Sequence, residues 1–430
     1  MKREEIEKIF ALADQNLLCN TSYPFNKVQY EQFLTSEDIL SAVDKLSFYI
    51  HIPFCRQLCS FCEYTRFPAG DIAAEECYMD LLNAQIQSFL DSHPVKRLYG
   101  FDIGGGTPSA LPPDLFERLL SIGRNLEGIA PKSSDYEKSI EISFSTINEL
   151  KLQLIGRYGY TRISAGLQSS DQQLLHKNGR IVTGNEKISE VIYKAHGYGI
   201  KKVNLDLMYG LPSQNAKSVD STILTISQLR PDQVTLYETR YNKYRRIPDG
   251  ITRDLQFEQY STLYKGLTSL GYQGRFGSNT FSICGDDGLS SYIRNRMLYC
   301  KPYKGFGISA QSMSRTGLSY GPYKSADCVD FARLSSFNEG VSYLLPPEEL
   351  AAKYISIALY GGRFLLSVLT EILGIDAEDY YHNELLFLKQ RGYIEIDNEQ
   401  VSLTKVGFRY YGAIATLFWG SDQRSALLGI

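Results

Sequence analysis

Six strand-like runs, at residues 47–52, 95–103, 140–144, 162–167, 202–207 and 233–237, alternate with helix-period segments at 75–90, 112–126, 148–158, 185–196 and 218–229. No other feature limits the fold so strongly. Parallel strands need a crossover of a dozen or more residues between them, and a helix is the usual filler. Six βα units in sequence therefore predict an α/β chain with a parallel sheet, curled into a closed or partial barrel. In such barrels functional groups collect where the strands end, at their C-terminal edge. The helix over 148–158 opens with Thr146-x-x-Glu149, which reads as a capping box.

The 430 residues are enough for two or three domains, and 43% hydrophobic with 22% charged residues is ordinary for a globular protein. We divide the chain into a helical and extended leader (1–45), the barrel (46–300), a Gly-rich connecting segment (301–345) and a C-terminal domain (346–430). In the last, helical runs at 348–358, 367–373 and 384–391 precede two short strands, near 392–396 and 400–404, and a final helix over 406–418. That order resembles a winged helix, but no basic recognition helix accompanies it, and a lid or packing role is expected. A formal net charge of −3 gives no electrostatic case for a nucleic-acid partner. The charged N-terminal run is no secretory signal, and no apolar stretch approaches the roughly 20 residues of a membrane span. A cytoplasmic location is expected, consistent with clustered thiols beside dispersed ones.

Chemistry concentrates at the ends of the strands. Of eight cysteines, five (Cys19, Cys77, Cys284, Cys300 and Cys328) are scattered, while Cys55, Cys59 and Cys62 follow the first strand in CX3CX2C spacing. Three thiolates on one loop hold three irons of a cubane cluster and leave the fourth iron open. Clusters built only for electron transfer normally have four thiolates, and a metal site keeps an open position where a small molecule must bind. A zinc knuckle is the competing reading, but no fourth Cys or well-placed His completes it; His51, on the strand, reads as a core or supporting residue. Gly104-Gly105-Gly106-Thr107-Pro108 follows the second strand, and its N–H groups are expected to approach a ligand with no Cβ in the way. Glu141 lies in strand three, Gln168 ends strand four, Asp206 lies late in strand five and Tyr237 closes strand six. Glu141 is expected to take ribose hydroxyls or a sulfonium centre, and Asp206 to accept from hydroxyls. The 31 Tyr and 21 Phe suit an aromatic substrate cavity, although packing accounts for most such residues.

The cysteine loop and the GGGTP turn on a βα array resemble the radical S-adenosylmethionine (SAM) superfamily. Further matches narrow the resemblance to the oxygen-independent coproporphyrinogen III dehydrogenase-like family. They are YIHIPFC (49–55), SAGLQS (164–169), NLDLMYGLP (204–212) and GFGISAQS (305–312), together with the TSYP leader at 21–24. The resemblance implies a partial (β/α)6 TIM-like barrel with a C-terminal winged-helix-like domain, a [4Fe-4S] cluster on Cys55, Cys59 and Cys62, and two SAM molecules. It implies that the first SAM chelates the open iron and is split by an electron to give a 5′-deoxyadenosyl radical. By motif position Tyr49, Gly105, Glu141, Gln168, Arg180 and Asp206 match residues that contact the SAM pair. Phe61, Gly106, Thr107 and Gln311 match others near the second molecule. Arg240 falls where the dehydrogenase has a small residue.

One departure directs the substrate assignment. Porphyrinogen dehydrogenases carry a fourth cysteine two residues beyond the third, and this chain has Tyr64 there. The heme-chaperone branch also lacks that cysteine but lacks the TSYP leader too. The remaining branch is the class C radical SAM methyltransferases, in which the radical acts on the methyl group of a second SAM and an sp2 ring carbon is methylated. We therefore expect a methyltransferase with an aromatic or quinone substrate, best matched by the naphthoquinone ring of menaquinone. A flavodoxin- or ferredoxin-type electron donor goes with that expectation, and so does contact at a membrane face if the substrate is a quinone. The alternatives are oxidative decarboxylation of coproporphyrinogen III and a non-catalytic heme chaperone. For decarboxylation, the basic run at 240–246 would meet substrate carboxylates. For a chaperone, none of the five histidines forms a recognisable heme motif.

Overall fold

A computed structural model describes residues 3–241, 246–322, 337 and 340–430. All six expected strands are present: β1 (Lys45–Ile52), β2 (Arg97–Gly105), β3 (Lys138–Ile142), β4 (Arg162–Gln168), β5 (Lys202–Tyr209) and β6 (Gln233–Glu238). They are parallel and adjacent in sequence order. Five helices make the crossovers: α1 (Ile72–Ser92), α2 (Pro113–Glu127), α3 (Glu149–Arg157), α4 (Asn185–Gly197) and α5 (Ala216–Leu229). Each lays an apolar stripe on the sheet, Leu115, Phe116, Leu119 and Leu120 on α2 for example, while Ile50, Ile103, Ile140, Ile163 and Val203 meet it from the strands.

The curled sheet does not close. Beyond β6, helix α6 (Arg253–Ser269) leads to β7 (Thr280–Ser282), which returns antiparallel to β6. At the other edge, after α7 (Ser291–Met297), β8 (Tyr303–Phe306) pairs parallel with β1. The antiparallel strands β9 (Gln311–Met313), β10 (Gly317–Tyr320) and β11 (Val341–Leu344) follow it outward. Gly305–Gln311 thus runs from the end of β8 through a turn at 307–310 into β9. Gly305 is required by close approach, because a Cβ there would sit 2.2 Å from the Gln311 carbonyl oxygen.

The leader and the C-terminal segment are tied to the barrel by buried polar contacts. Tyr23 donates its hydroxyl to Glu349, and Lys353 Nζ donates to the Tyr23 carbonyl at 2.9 Å, both partners lying on α8 (Pro347–Ala358). Arg253 pairs with Glu238 at the end of β6 and donates to the Leu18 carbonyl at 3.0 Å. After α8 a strand at Arg363–Leu365 joins Ile394–Asp397 and Gln400–Leu403 in a three-stranded sheet with helices between, the order of a winged helix. The expected last helix is broken in two, Lys405–Arg409 and Tyr411–Leu417. The capping box expected at Thr146 is not formed. Asn148 caps α3, its side chain accepting from the Lys151 N–H, while the Thr146 hydroxyl bonds Ser109 at 2.7 Å. No helix among the described residues is long and apolar enough to cross a membrane.

Candidate functional site: a cysteine loop over the barrel mouth

The loop after β1 is a closed excursion. Phe54–Cys55 pairs with Phe67–Pro68, and the base is fastened by Phe67 N–H to Pro53 C=O at 2.7 Å and Ala69 N–H to Cys55 C=O at 2.9 Å. Inside it the Arg66 guanidinium donates to the Cys59 carbonyl at 2.8 Å and the Cys62 carbonyl at 2.9 Å. Ser60 bonds the Asn178 carbonyl from a distant loop. Arg66 thus shapes the turn that presents the thiols, a role that residue type and spacing alone do not signal.

All three cysteines are free thiols on the wall of one cavity of about 710 Å3. Thr107 Oγ1 lies 3.5 Å from Cys55 Sγ, and Arg180 Nη1 lies 3.7 Å from Cys59 Sγ. Burial pushes the Cys55 thiol up to about 11 and raises that of Cys62. Without a cation they stay protonated at neutral pH; a bound metal centre supplies the positive charge that ionises them. Among the described residues no three His, Cys, Asp or Glu side chains could hold a single metal ion. A cubane asks for less convergence, because each thiolate binds its own iron, and the trio fits that group.

The strand ends supply the rest of the wall. The cavity is lined by Phe61, Gly105, Gly106, Thr107, Glu141, Gln168, Arg180 and Asp206, as well as Tyr64, Tyr237 and Arg240. Gln168 has a left-handed backbone (φ 67°) where the β4–β5 register slips, and its buried Oε1 has no partner. A strained non-glycine residue with an orphaned acceptor at a cavity is the kind of group a polar ligand satisfies. Asp206 accepts from Asn204 Nδ2 at 2.7 Å and from the Ser164 hydroxyl at 3.2 Å. Glu141 sits deep in the barrel, yet it faces the empty interior and remains accessible. Burial and then the charge of Asp206 push its carboxyl up to about 7, against one N–H donated by Gly105 at 3.1 Å. Cavity acceptors of this kind match the hydroxyl- and ammonium-rich surface of SAM.

Two expected contacts lie elsewhere. Tyr49 stacks on Tyr292 (centroids 5.7 Å apart) with its hydroxyl 3.2 Å from His51 Nδ1, and it is not on the cavity wall. Gln311, on β9, has its amide held by Tyr303, Tyr320 and Arg296, also off the wall. Of the basic run, residues 242–245 lie outside the described residues. Arg240 pairs with Glu63.

The expectation for the triple glycine is corrected. Its N–H groups are spent on the protein: Gly105 to Glu141, Gly106 to the Ile52 carbonyl at 2.8 Å, and Thr107 to the Phe54 carbonyl at 2.8 Å. The missing Cβ atoms make room for protein too. A Cβ would lie 2.6 Å from the Glu141 carboxyl at Gly104, 2.4 Å from the His51 ring at Gly105 and 2.7 Å from Pro53 at Gly106. The turn packs the cysteine loop against Glu141. His51, lowered to about 4 by burial, is neutral; with Nε2 donating to the Thr65 carbonyl at 3.1 Å, its Nδ1 accepts from Tyr49. It is a supporting residue, as expected.

The comparisons with known proteins converge on the same stretch. The family model "Radical SAM superfamily" matches residues 49–226, from β1 into α5. The matched stretch carries the cysteine loop and five of the six parallel strands. This chain is 28% identical over 291 residues to "Coproporphyrinogen III oxidase, anaerobic 1" of Cereibacter sphaeroides, covering 64% of this chain and 63% of that protein's length. It is 32% identical over 243 residues to "Heme chaperone HemW" of Haemophilus influenzae, covering 53% and 61%. Among solved structures, coproporphyrinogen III oxidase (HemN) from Escherichia coli superposes with a TM-score of 0.72 over 88% of this chain and 92% of that one, at 22% identity, a likeness of fold. These two relatives bear the names of an oxidase and a heme chaperone, and neither is named a methyltransferase.

Proposed function

We propose that this chain is a radical SAM enzyme acting on a carboxylate-bearing tetrapyrrole, with oxidative decarboxylation of a coproporphyrinogen as the preferred reaction. The observation that carries the SAM half is the convergence of three free thiols with Glu141, Gln168, Arg180 and Asp206 on one cavity. Support for the substrate half comes from the relatives and from arginines at the same mouth.

Bound there, a [4Fe-4S] cluster and SAM supply one-electron reductive cleavage of the SAM C–S bond and, from it, a hydrogen-abstracting organic radical. The chain's part is to hold and to exclude. Cys55, Cys59 and Cys62 hold three irons. Glu141 and Asp206 accept from ligand hydroxyls, and the unpartnered Gln168 Oε1 takes a further donor. Arg180 sits beside Cys59 and Asp206, where it offsets their negative charge. Phe61 packs with Leu174, Met208 and Leu211, an apolar patch that keeps water from the reacting atoms. A one-electron donor of the flavodoxin or ferredoxin type supplies the electron for SAM cleavage, and a one-electron acceptor takes the electron that the substrate radical gives up as its carboxylate leaves as CO2.

A second reading, class C methyl transfer to a ring carbon, is favoured by Tyr64 at the position of the fourth cysteine of porphyrinogen dehydrogenases. It requires a second SAM. Anaerobic incubation of the cluster-reconstituted protein with SAM, a reductant and coproporphyrinogen III separates the readings. 5′-Deoxyadenosine with decarboxylated porphyrin is the expected result. S-Adenosylhomocysteine with methylated product from a quinone extract, and no decarboxylation, would move the assignment to methyl transfer. Stoichiometric heme retention without SAM turnover would make the chain a chaperone.

A further inference from the structure

Several arginines of this fold are met by carboxylates: Arg253 by Glu238, Arg294 by Asp287, and Arg409 by Asp14 and Asp254. Among the described residues Arg162, Arg66 and Arg180 form no ion pair, but Arg162 donates to Gln233 and Ser139 amid the charges of Asp102, Asp206 and Glu141, Arg66 donates to carbonyls of its own loop, and Arg180 to the Gly166 carbonyl. Arg296, on α7, stands instead among phenols. Among the described residues it forms no ion pair, and the groups that act on its charge are phenols: Tyr303, Tyr292, Tyr64 and Tyr49. Asp102 feels it only weakly and stays beyond ion-pair distance, with its own Oδ1 unpartnered.

The guanidinium is held but not satisfied. Arg296 Nη2 donates to Gln311 Oε1 at 3.2 Å, and the guanidinium lies 5.1 Å from the centre of the Tyr303 ring. The Gln311 oxygen also accepts from the Tyr303 hydroxyl at 2.5 Å, while its nitrogen donates to Tyr320 at 2.8 Å, so the partner that orients Arg296 is itself fixed. Arg296 Nε is buried without an acceptor. Nearby Lys353 is a second buried cation with no carboxylate, donating to a backbone carbonyl, and burial together with Arg296 lowers it to about 8. Removing a cation from water without a counter-charge is costly, and such a centre persists where an anion completes it. The planar fork of Arg suits a carboxylate. Tyr64 connects this centre to the cysteine cavity, because it lines that cavity and feels both Arg240 and Arg296.

We propose that Arg296, oriented by Gln311 and Tyr303, is a receptor for a ligand carboxylate at the tyrosine cluster next to the cysteine cavity. This rests on the radical SAM reading above. Two ligands bring that chemistry, an acid side chain of the tetrapyrrole or the amino-acid carboxylate of a second SAM, and the test tells them apart. Cluster-loaded protein is titrated with coproporphyrin III and with its uncharged tetramethyl ester by fluorescence, and bound SAM is counted by equilibrium dialysis.

Arg296→Gln is expected to weaken coproporphyrin III about tenfold to a hundredfold with the ester unaffected, as loss of a charge-assisted contact does. A SAM count lower by one in the variant would instead make the second SAM the ligand. Unchanged tetra-acid affinity together with an unchanged SAM count overturns the receptor. If the unaltered protein binds no porphyrin, the tetrapyrrole reading falls by itself and the SAM count decides the receptor. Arg296→Lys, which keeps the charge but not the fork, is measured alongside with cluster absorbance as the folding control. It should show a smaller loss in the same assay, and if Arg296→Gln does not load cluster, an undiminished Arg296→Lys overturns the receptor.

Discussion

Glu141 should titrate near neutrality. Its carboxyl is raised first by burial and then by Asp206, and is pushed up to about 7. Burial raises Asp206 as well, against Arg162, Ser164, Asn204 and Arg180, which favour its charge, and that charge weighs on Glu141. With a midpoint of about 7, Glu141 is about nine-tenths ionised at pH 8 and about one-tenth at pH 6. If its carboxylate accepts from a SAM hydroxyl, SAM affinity should fall about tenfold across that interval. The sign for stability is the opposite of that for binding. A carboxyl whose pKa is higher in the folded state adds stability that is complete below its unfolded value of 4.5 and is lost as pH rises through about 7. The direct assay is the 13C shift of the Glu141 carboxyl in the iron-free, thiol-reduced protein, assigned with Glu141→Gln. Asp206→Asn should move the midpoint down but leave it above the ordinary range, since burial remains. A midpoint near 4.5 in the unaltered protein, or an upward move in Asp206→Asn, would refute the electrostatic account.

Cys59→Ala should abolish the brown absorbance near 400 nm (about the wavelength expected of a thiolate-held cluster), whereas Cys284→Ala, at an exposed thiol far along the chain, should keep it; equal iron loading in both would remove the cluster assignment. Gly106→Ala places a Cβ 2.7 Å from the Pro53 backbone and 2.9 Å from the Ile52 and Phe54 carbonyl oxygens, none of which can yield like a flexible side chain. Cluster incorporation should drop sharply, and normal loading would show that the loop tolerates displacement. Arg253→Met leaves the buried Glu238 carboxylate with only the Tyr411 hydroxyl and should cost about 3–5 kcal/mol in urea denaturation. Adding Glu238→Leu should recover most of that loss, and simple additivity of the two would disprove the coupling.

The barrel was legible because its signal is local and repeated: each strand is a short apolar run followed by a helix-period segment. The cysteine loop was legible for the same reason, since spacing alone brings Cys55, Cys59 and Cys62 to one turn. Other features were misread. Thr146 and Asn148 are both good caps two residues apart, and only the backbone decides that Asn148 takes the N–H of Lys151. The glycine turn looked like a ligand cradle because the sequence does not show that His51, Glu141 and Pro53 occupy the space its missing side chains leave. Arg66 and Arg296 gave no signal. The first acts on backbone carbonyls within its own loop, and the second owes its meaning to partners on other elements and to the carboxylate it lacks.

Tyr64 is where the sequence and the structure give the same residue different weight. Read from the sequence, it is a missing cysteine and argues against porphyrinogen chemistry. In the fold it is 54% exposed at the cavity, among Glu141, Arg240 and Arg296. Its phenol is a hydrogen-bond donor as well as an acceptor at the cavity wall. A fourth thiol at this place would stand off the CX3CX2C turn that Arg66 organises, and three irons are served without it. Its replacement by a phenol therefore changes the polarity of the cavity wall while the three thiols of the CX3CX2C turn remain. The reaction is therefore decided by its products, decarboxylated porphyrin with 5′-deoxyadenosine or methylated ring with S-adenosylhomocysteine, and not by the identity of Tyr64.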